Sequence, residues 1–132
     1  MIVDTSALVA ITFEEPQALD LVRTLSQAPR SGIGTPTLAE LGIVLHARLG
    51  RDPQALIARL LDEFGVAEIP FRAAHWRAAV DAFGRYGRGR HPAGLNFGDC
   101  LTYAVAALAD EPLLHVGDDF AATDLASALP EM

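Results

Sequence analysis

The chain opens Met1-Ile2-Val3-Asp4-Thr5-Ser6-Ala7-Leu8. Its first three residues are apolar and partly β-branched, which is the composition of a short strand, and Asp4 ends the run. A helix is expected directly after it. Further along, Leu19, Leu21, Val22 and Leu25 recur at near-helical spacing, and residues 29–34 break that pattern around a second short strand at Ile33. Leu38, Leu41, Val44, Leu45 and Leu49 predict an amphipathic helix closed by Gly50. Asp52-Pro53 opens another, which carries Leu56, Ile57, Leu60, Leu61 and Phe64 and is closed by Gly65. Residues 66–71 read as a third strand. The helix after it places Trp76, Ala79, Val80 and Phe83 on one face, with Trp76 expected in the core, and Gly84, Gly87, Gly89, Pro92 and Gly94 mark a loop. Residues 99–108 read as a buried helix, and Leu113-Leu114-His115-Val116 as a fourth strand leading into Gly117-Asp118-Asp119. Strands thus alternate with helices. That order predicts an α/β fold, a single domain over residues 1–132 with a central parallel sheet of four to five strands and helices on both faces. In such sheets, sites form beyond the carboxyl ends of the strands.

Composition narrows the chemistry. At 132 residues the chain can bury one core but not two, and with 51% hydrophobic and 20% charged residues it has the make-up of an ordinary globular protein. The longest apolar runs fall far short of the roughly 20 residues of a membrane span, and no basic-then-apolar leader opens the chain. No membrane association and a cytoplasmic location are therefore expected. A single cysteine, Cys100, forms no internal disulfide and no cysteine-rich zinc framework. There is no lysine, which excludes lysine-dependent chemistry and argues against a receiver-like phosphoacceptor module. A haloacid-dehalogenase-like phosphatase needs a second acid two residues after Asp4, and that position holds Ser6. The net charge is −7, yet no acid lies between Asp81 and Asp99, where Arg85, Arg88, Arg90 and His91 fall. An RNA backbone could lie along that strip, a merely solvated loop being the plainer reading.

Asp4 and Asp118 end apolar strands, or nearly so, which brings them to one edge of a parallel sheet. Together with Glu40, Asp99 and Asp119 they form a set of hard oxygen donors suited to one or two magnesium or manganese ions. Such ions activate water for attack on phosphorus. Each acid also has a plainer role. Thr37 and Glu40 have capping-box spacing, as do Asn96 and Asp99; Asp4 can cap the first helix, and Asp118-Asp119 can be a turn. The conjunction favours a metal site, because all are flanked by apolar residues and an unpaired carboxylate is costly to bury. With no arginine after Arg90, the available neutralisers are a bound cation or solvent at a cleft.

The blocks Met-Ile-Val-Asp4-Thr-Ser6-Ala-Leu, Thr37-Leu-Ala-Glu40, Gly-Leu-Asn96-Phe-Gly-Asp99-Cys and Leu-Leu-His-Val-Gly-Asp118-Asp119-Phe-Ala-Ala-Thr123-Asp124-Leu span nearly the whole chain. With them the sequence resembles the PIN-domain ribonucleases, specifically the VapC-type toxins of bacterial toxin–antitoxin pairs. The resemblance implies a PIN-like fold and a Mg2+- or Mn2+-dependent endoribonuclease, the toxin of a type II pair, that cleaves RNA phosphodiester bonds through a metal-activated water. Asp4, Glu40 and Asp99 match the family's first three acids. Either Asp118 or Asp119 supplies the fourth, with Asp119 favoured because it directly precedes Phe120. Ser6 matches a hydroxyl that orients the first carboxylate, and Asn96 a residue that supports Asp99. The implied partners are a VapB-like antitoxin, an RNA substrate such as tRNA or rRNA, and a second copy in a homodimer. Phe13, Leu38 and Leu49 read as core residues, with a helix-accepting groove as the other reading. Trp76 and Tyr86 are the aromatic residues available to stack a base. The alternative function is a catalytically weak RNA- or antitoxin-binding PIN-like domain.

Overall fold

A computed structural model describes residues 1–129; the last three residues of the expected 1–132 domain lie outside the described residues. Strand β1 (Ile2–Val3) runs into α1 (Thr5–Thr12) with Asp4 alone between them. Asp4 makes the switch: its backbone is extended (φ −91°, ψ 157°) and its carboxylate accepts the N–H of Ser6, satisfying one of the donors a helix start leaves open. There follow α2 (Ala18–Gln27), β2 (Ser31–Gly34), α3 (Thr35–Leu49), α4 (Gln54–Phe64), β3 (Val66–Ile69), α5 (Ala73–Tyr86), α6 (Phe97–Ala109) and β4 (Leu113–Leu114). Helices α3 and α4 end on Gly50 (φ 70°) and Gly65 (φ 63°), in the left-handed conformation that a side chain would disfavour.

The strands form one parallel sheet in the order β3-β2-β1-β4. The chain moves outward through its first three strands and then returns past β1. Right-handed crossovers in opposite directions put their helices on opposite faces. Alternation along β1 shows this directly. Val3 packs with Leu8, Leu21, Leu41, Leu45 and Ile57 from α1 to α4, whereas Ile2 packs with Ala79, Ala82, Tyr103 and Val105 from α5 and α6. Leu114 and Leu113 repeat the division on β4. Strand β2, Ser-Gly-Ile-Gly, is poor in strand formers for a packing reason: a Cβ on Gly34 would lie 2.8 Å from Val105 Cγ2, so α6 rests on the strand backbone itself. The strand order reverses between β1 and β4, and the crevice at their carboxyl ends is where such folds bind ligands.

Beyond β4 the chain folds back. Leu113 N–H donates to Ala126 O and Ala128 N–H to Leu113 O, which covers the open edge of β4. Tyr103 Oη donates to Asp124 Oδ1 at 2.5 Å and pins this segment to α6.

Helix α5 departs from the sequence reading. It continues through Gly84 to Tyr86, where a loop was expected, and it is rotated. Trp76, Val80 and Phe83 are 53%, 62% and 42% exposed, while Ala79, Ala82 and Tyr86 face α6. The small alanines let the two helices approach closely, so the large apolar residues on the other side are left outward. Leu19, placed by its spacing on an apolar face, is likewise exposed. Strands β3 and β4 stop at Ile69 and Leu114, short of the expected Phe71 and Val116. Phe13, Leu38 and Leu49 are half-buried against the α1–α4 core, with the Arg48 guanidinium 3.7 Å above the Phe13 ring. Cys100 is buried, and no helix among the described residues is long and apolar enough to cross a membrane.

Candidate active site

Asp4 is buried at the carboxyl end of β1 and its carboxylate is held by three donors. Oδ2 accepts the Ser6 N–H at 3.1 Å and the Ser6 hydroxyl at 2.7 Å, and Oδ1 accepts the Thr102 hydroxyl at 3.0 Å. Ser6 Oγ in turn accepts the N–H of Val116 at 3.0 Å, tying the segment after β4 to the same carboxylate. A hydroxyl has one proton. Since Thr102 gives its proton to Asp4, the Thr37 hydroxyl 3.1 Å away must donate to Thr102, which sets a directed chain from Thr37 through Thr102 to Asp4.

Glu40 sits inside α3, which begins at Thr35 with Gly34 as its N-cap. The capping-box role suggested by the Thr37–Glu40 spacing is therefore not what the fold uses, because the helix starts three residues earlier than that pairing requires. Instead Glu40 Oε1 accepts the Thr5 hydroxyl at 2.6 Å. At α6 the capping box does form: Asn96 Oδ1 accepts the Asp99 N–H at 2.9 Å, and Asp99 Oδ2 accepts the Asn96 N–H at 3.1 Å. The Asp99 carboxyl is pushed up to about 6. Burial is the largest cause, the Asn96 N–H opposes it, and the charges of Asp119, Asp4 and Glu40 raise it further. Acids from the end of β1, from α3 and from the loop after β4 thus act on one carboxyl group of α6.

Asp118 and Asp119 are both exposed and follow a turn at Gly117 (φ 93°). Of the charges acting on Asp99, that of Asp119 is the strongest. His115, the first residue after β4, is buried with its ring edge-on to Phe120 (5.2 Å between centroids), and its Nδ1 has no hydrogen-bond partner among the described residues. Burial lowers its pKa, against the charge of Asp4 and contact with the Gly117 backbone, which raise it.

Thr5, Thr102 and His115 were not singled out from the sequence. Thr102 carried a signal: it lies three residues after Asp99, one turn along the same helix face. Thr5 adjoins Asp4, but its partner Glu40 is 35 residues away and only the fold brings the two together.

The acids share a field that no ion-paired side chain among the described residues neutralises. Among the described residues none of Asp4, Glu40, Asp99, Asp118 and Asp119 belongs to an ion pair. Nor, among the described residues, do three or more Asp, Glu, His or Cys side chains stand close enough together to hold a metal ion as they are placed. An all-carboxylate donor set with open geometry suits magnesium or manganese, which keep several waters and bind through few protein oxygens.

The basic strip is only partly available. Arg85 donates to Tyr86 Oη at 2.8 Å and to Asp124 at 3.5 Å, Arg90 lies 5.5 Å from the Phe83 ring, and His91 Nδ1 accepts the Ala93 N–H at 3.0 Å. Arg88 is exposed. A cavity of about 690 Å3 opens beside Glu40, walled by Pro36, Ile43, Phe71, Trp76, Phe97 and Leu101.

The family model described as PIN domain matches residues 1–125. Ribonuclease VapC36 of Mycobacterium tuberculosis is 49% identical over 126 residues, covering 95% of this chain and 91% of that protein. Two solved structures share the fold. Mycobacterium tuberculosis VapC20, described as a sarcin-ricin loop cleaving toxin, superposes with a TM-score of 0.75 at 19% identity over 98% of both chains. A toxin–antitoxin complex from Klebsiella pneumoniae gives a TM-score of 0.71 at 17% identity over 96% of both chains.

Proposed function

We propose, from the premise that this chain belongs to the PIN-domain family, that Asp4, Glu40, Asp99 and Asp119 hold a magnesium or manganese ion with which a single nuclease domain cuts RNA. The chain is a VapC-type ribonuclease, the toxin of a toxin–antitoxin pair. The observation that carries the metal assignment is the meeting of carboxylates from four separate elements in one field, with no ion-paired cation among the described residues.

When bound, such a cation lowers the pKa of a coordinated water and offsets charge on the leaving oxygen of a phosphodiester. The residues supply orientation and charge. Three of the roughly four acceptor positions of the Asp4 carboxylate are filled by Ser6 and Thr102, which leaves about one lone pair for a ligand and fixes its direction. Thr5 occupies one oxygen of Glu40 and leaves Oε2 available. Asp99, with a carboxyl near pKa 6, is ionised at neutral pH and takes a proton in mildly acidic solution. Asp119 completes the set, and Asp118 stands outside it on the same turn. Ser6 and Asn96 act through Asp4 and Asp99. RNA phosphates, in tRNA or rRNA, would run along Arg88, Arg90 and His91, with Arg85 committed to Tyr86 and Asp124.

The test is cleavage of total RNA by antitoxin-free protein. Cutting should require Mg2+ or Mn2+ and stop with chelator, and Glu40→Gln, which can still accept from Thr5, should fold normally and cut poorly. Chelator-resistant cleavage would contradict the metal assignment, and no cleavage under any condition would restore the binding-domain reading.

A VapB-like antitoxin is the proposed regulator, and a second copy of the chain the proposed partner of the outward apolar face. Ile43, Trp76, Val80, Phe83 and Phe97 are all exposed and adjoin one another through Leu101. An apolar surface contiguous over three helices is a mark of an interface. Val80→Glu should convert a dimer of about twice 14.0 kDa into a folded monomer in sedimentation equilibrium. A monomeric parent protein at micromolar concentration would remove this assignment.

A further inference from the structure

We infer that Gly98 is a positioning residue, kept without a side chain so that Glu40 and Asp99 can stand side by side. The inference rests on the assignment of those acids above. Gly98 is the second residue of α6, between Phe97 and Asp99, and it is not among the glycines with positive φ. Its backbone conformation therefore does not call for glycine, and alanine is the better helix former at such a position. What alanine lacks there is room. A Cβ on Gly98 would lie 2.5 Å from Glu40 Oε2 and 3.3 Å from Glu40 Cδ, with Asn96 Oδ1 next at 3.6 Å.

Glu40 is held where the methyl group would go. Its other oxygen accepts the Thr5 hydroxyl at 2.6 Å, and Thr5 directly follows Asp4. A methyl group at 98 would force one of two changes. Either Glu40 gives up Thr5 and swings toward the apolar cavity that Glu40 and Gly98 line, or the first turn of α6 moves outward and carries Asp99 with it. Both separate a carboxylate of α3 from one of α6. The first change leaves the core untouched, since the displaced group is the flexible end of a side chain beside open space, and it is the easier one because the second would shift buried Cys100; the fold survives and the helix gains a better former.

Gly84 is the internal control. It lies within α5, a Cβ there would meet nothing within 4 Å, and its φ is not positive. Gly84→Ala should raise the unfolding midpoint and leave Mn2+ affinity and RNA cleavage at parental values. Gly98→Ala should melt at or above the parent midpoint in chelator, yet bind Mn2+ about tenfold or more weakly, read by electron paramagnetic resonance of the free ion, with kcat for RNA cleavage falling by a similar factor. A Gly98→Ala protein with the Mn2+ affinity and kcat of a Mn2+-binding parent would overturn the inference alone. So would a Gly98→Ala protein that melts well below the parent, because the glycine would then serve packing. A parent protein that binds no Mn2+ would overturn the metal assignment and this inference with it.

Discussion

Asp99→Asn is expected to lower RNA cleavage by at least about 100-fold while leaving the protein folded and more resistant to heat. The two effects have one origin. The Asp99 carboxyl is raised from 3.8 to about 6 by burial and by the charges of Asp119, Asp4 and Glu40. A group whose folded pKa lies above its unfolded one favours the fold when protonated. That contribution is present below about pH 4 and is lost as pH rises to about 6, so at neutral pH the ionised form weakens the fold. At 1.36 kcal/mol per pKa unit the cost is at most about 3 kcal/mol, reduced by solvent screening to about 2. Asparagine has the same shape and can still accept the Asn96 N–H that closes the capping box, but it carries no charge. It removes the repulsion and keeps the cap. On the proposed metal assignment it also removes a ligand, which is why activity should collapse as stability rises. Single-turnover cleavage and thermal unfolding in chelator at pH 7 measure the two arms. Parental cleavage by the variant would sink the metal role of Asp99, and a lowered midpoint would sink the electrostatic account.

The second large effect is stabilisation by the cation itself. Mn2+ at about 100 times its dissociation constant should add about 2.7 kcal/mol to the stability of the parent protein, a shift of several degrees in the midpoint. The sign of its pH dependence follows from Asp99. A divalent cation binds the ionised carboxylates, so at pH 5, where Asp99 holds its proton, the ion must displace that proton and the shift should shrink; at pH 7.5 it should be full. In chelator the same protein should behave oppositely, with Asp99 contributing more stability at pH 5 than at pH 7.5. Unfolding curves at both pH values, with Mn2+ and with chelator, give all four quantities. Equal Mn2+ shifts at the two pH values would show that Asp99 is not among the groups the ion engages.

These contrasts arise because one residue serves two purposes. At Asp99 the helix cap and the shared field coincide, so the plain structural role and the proposed chemical one fall on the same carboxylate. At Glu40 they do not. The Thr37–Glu40 spacing is that of a cap, yet the helix starts at Thr35, and the glutamate is free of helix-end duties. Local spacing cannot separate these cases, because it says which residues can meet across a turn but not where the turn begins.

The sequence alone determined the alternation of strands and helices, the parallel sheet, the placement of Asp4 at a strand end and the family blocks around Asp4, Glu40, Asp99 and Asp118-Asp119. Each of these is a local property: a periodicity, a cap, a short apolar run bounded by turn residues. Three matters were settled only by tertiary structure. One is the face of α5 that is buried, since apolar residues surround that helix and packing against α6 selects the small ones, Ala79 and Ala82, leaving Trp76, Val80 and Phe83 outside. Another is the hydroxyl chain from Thr37 through Thr102 to Asp4, whose ends are 98 residues apart at the last link. The third is the lack of room at Gly98, which looks like a helix-weakening residue until Glu40 is seen 2.5 Å from where a side chain would begin. In all three the deciding contact joins segments that are distant in the chain, and no periodicity within one segment carries information about the surface of another.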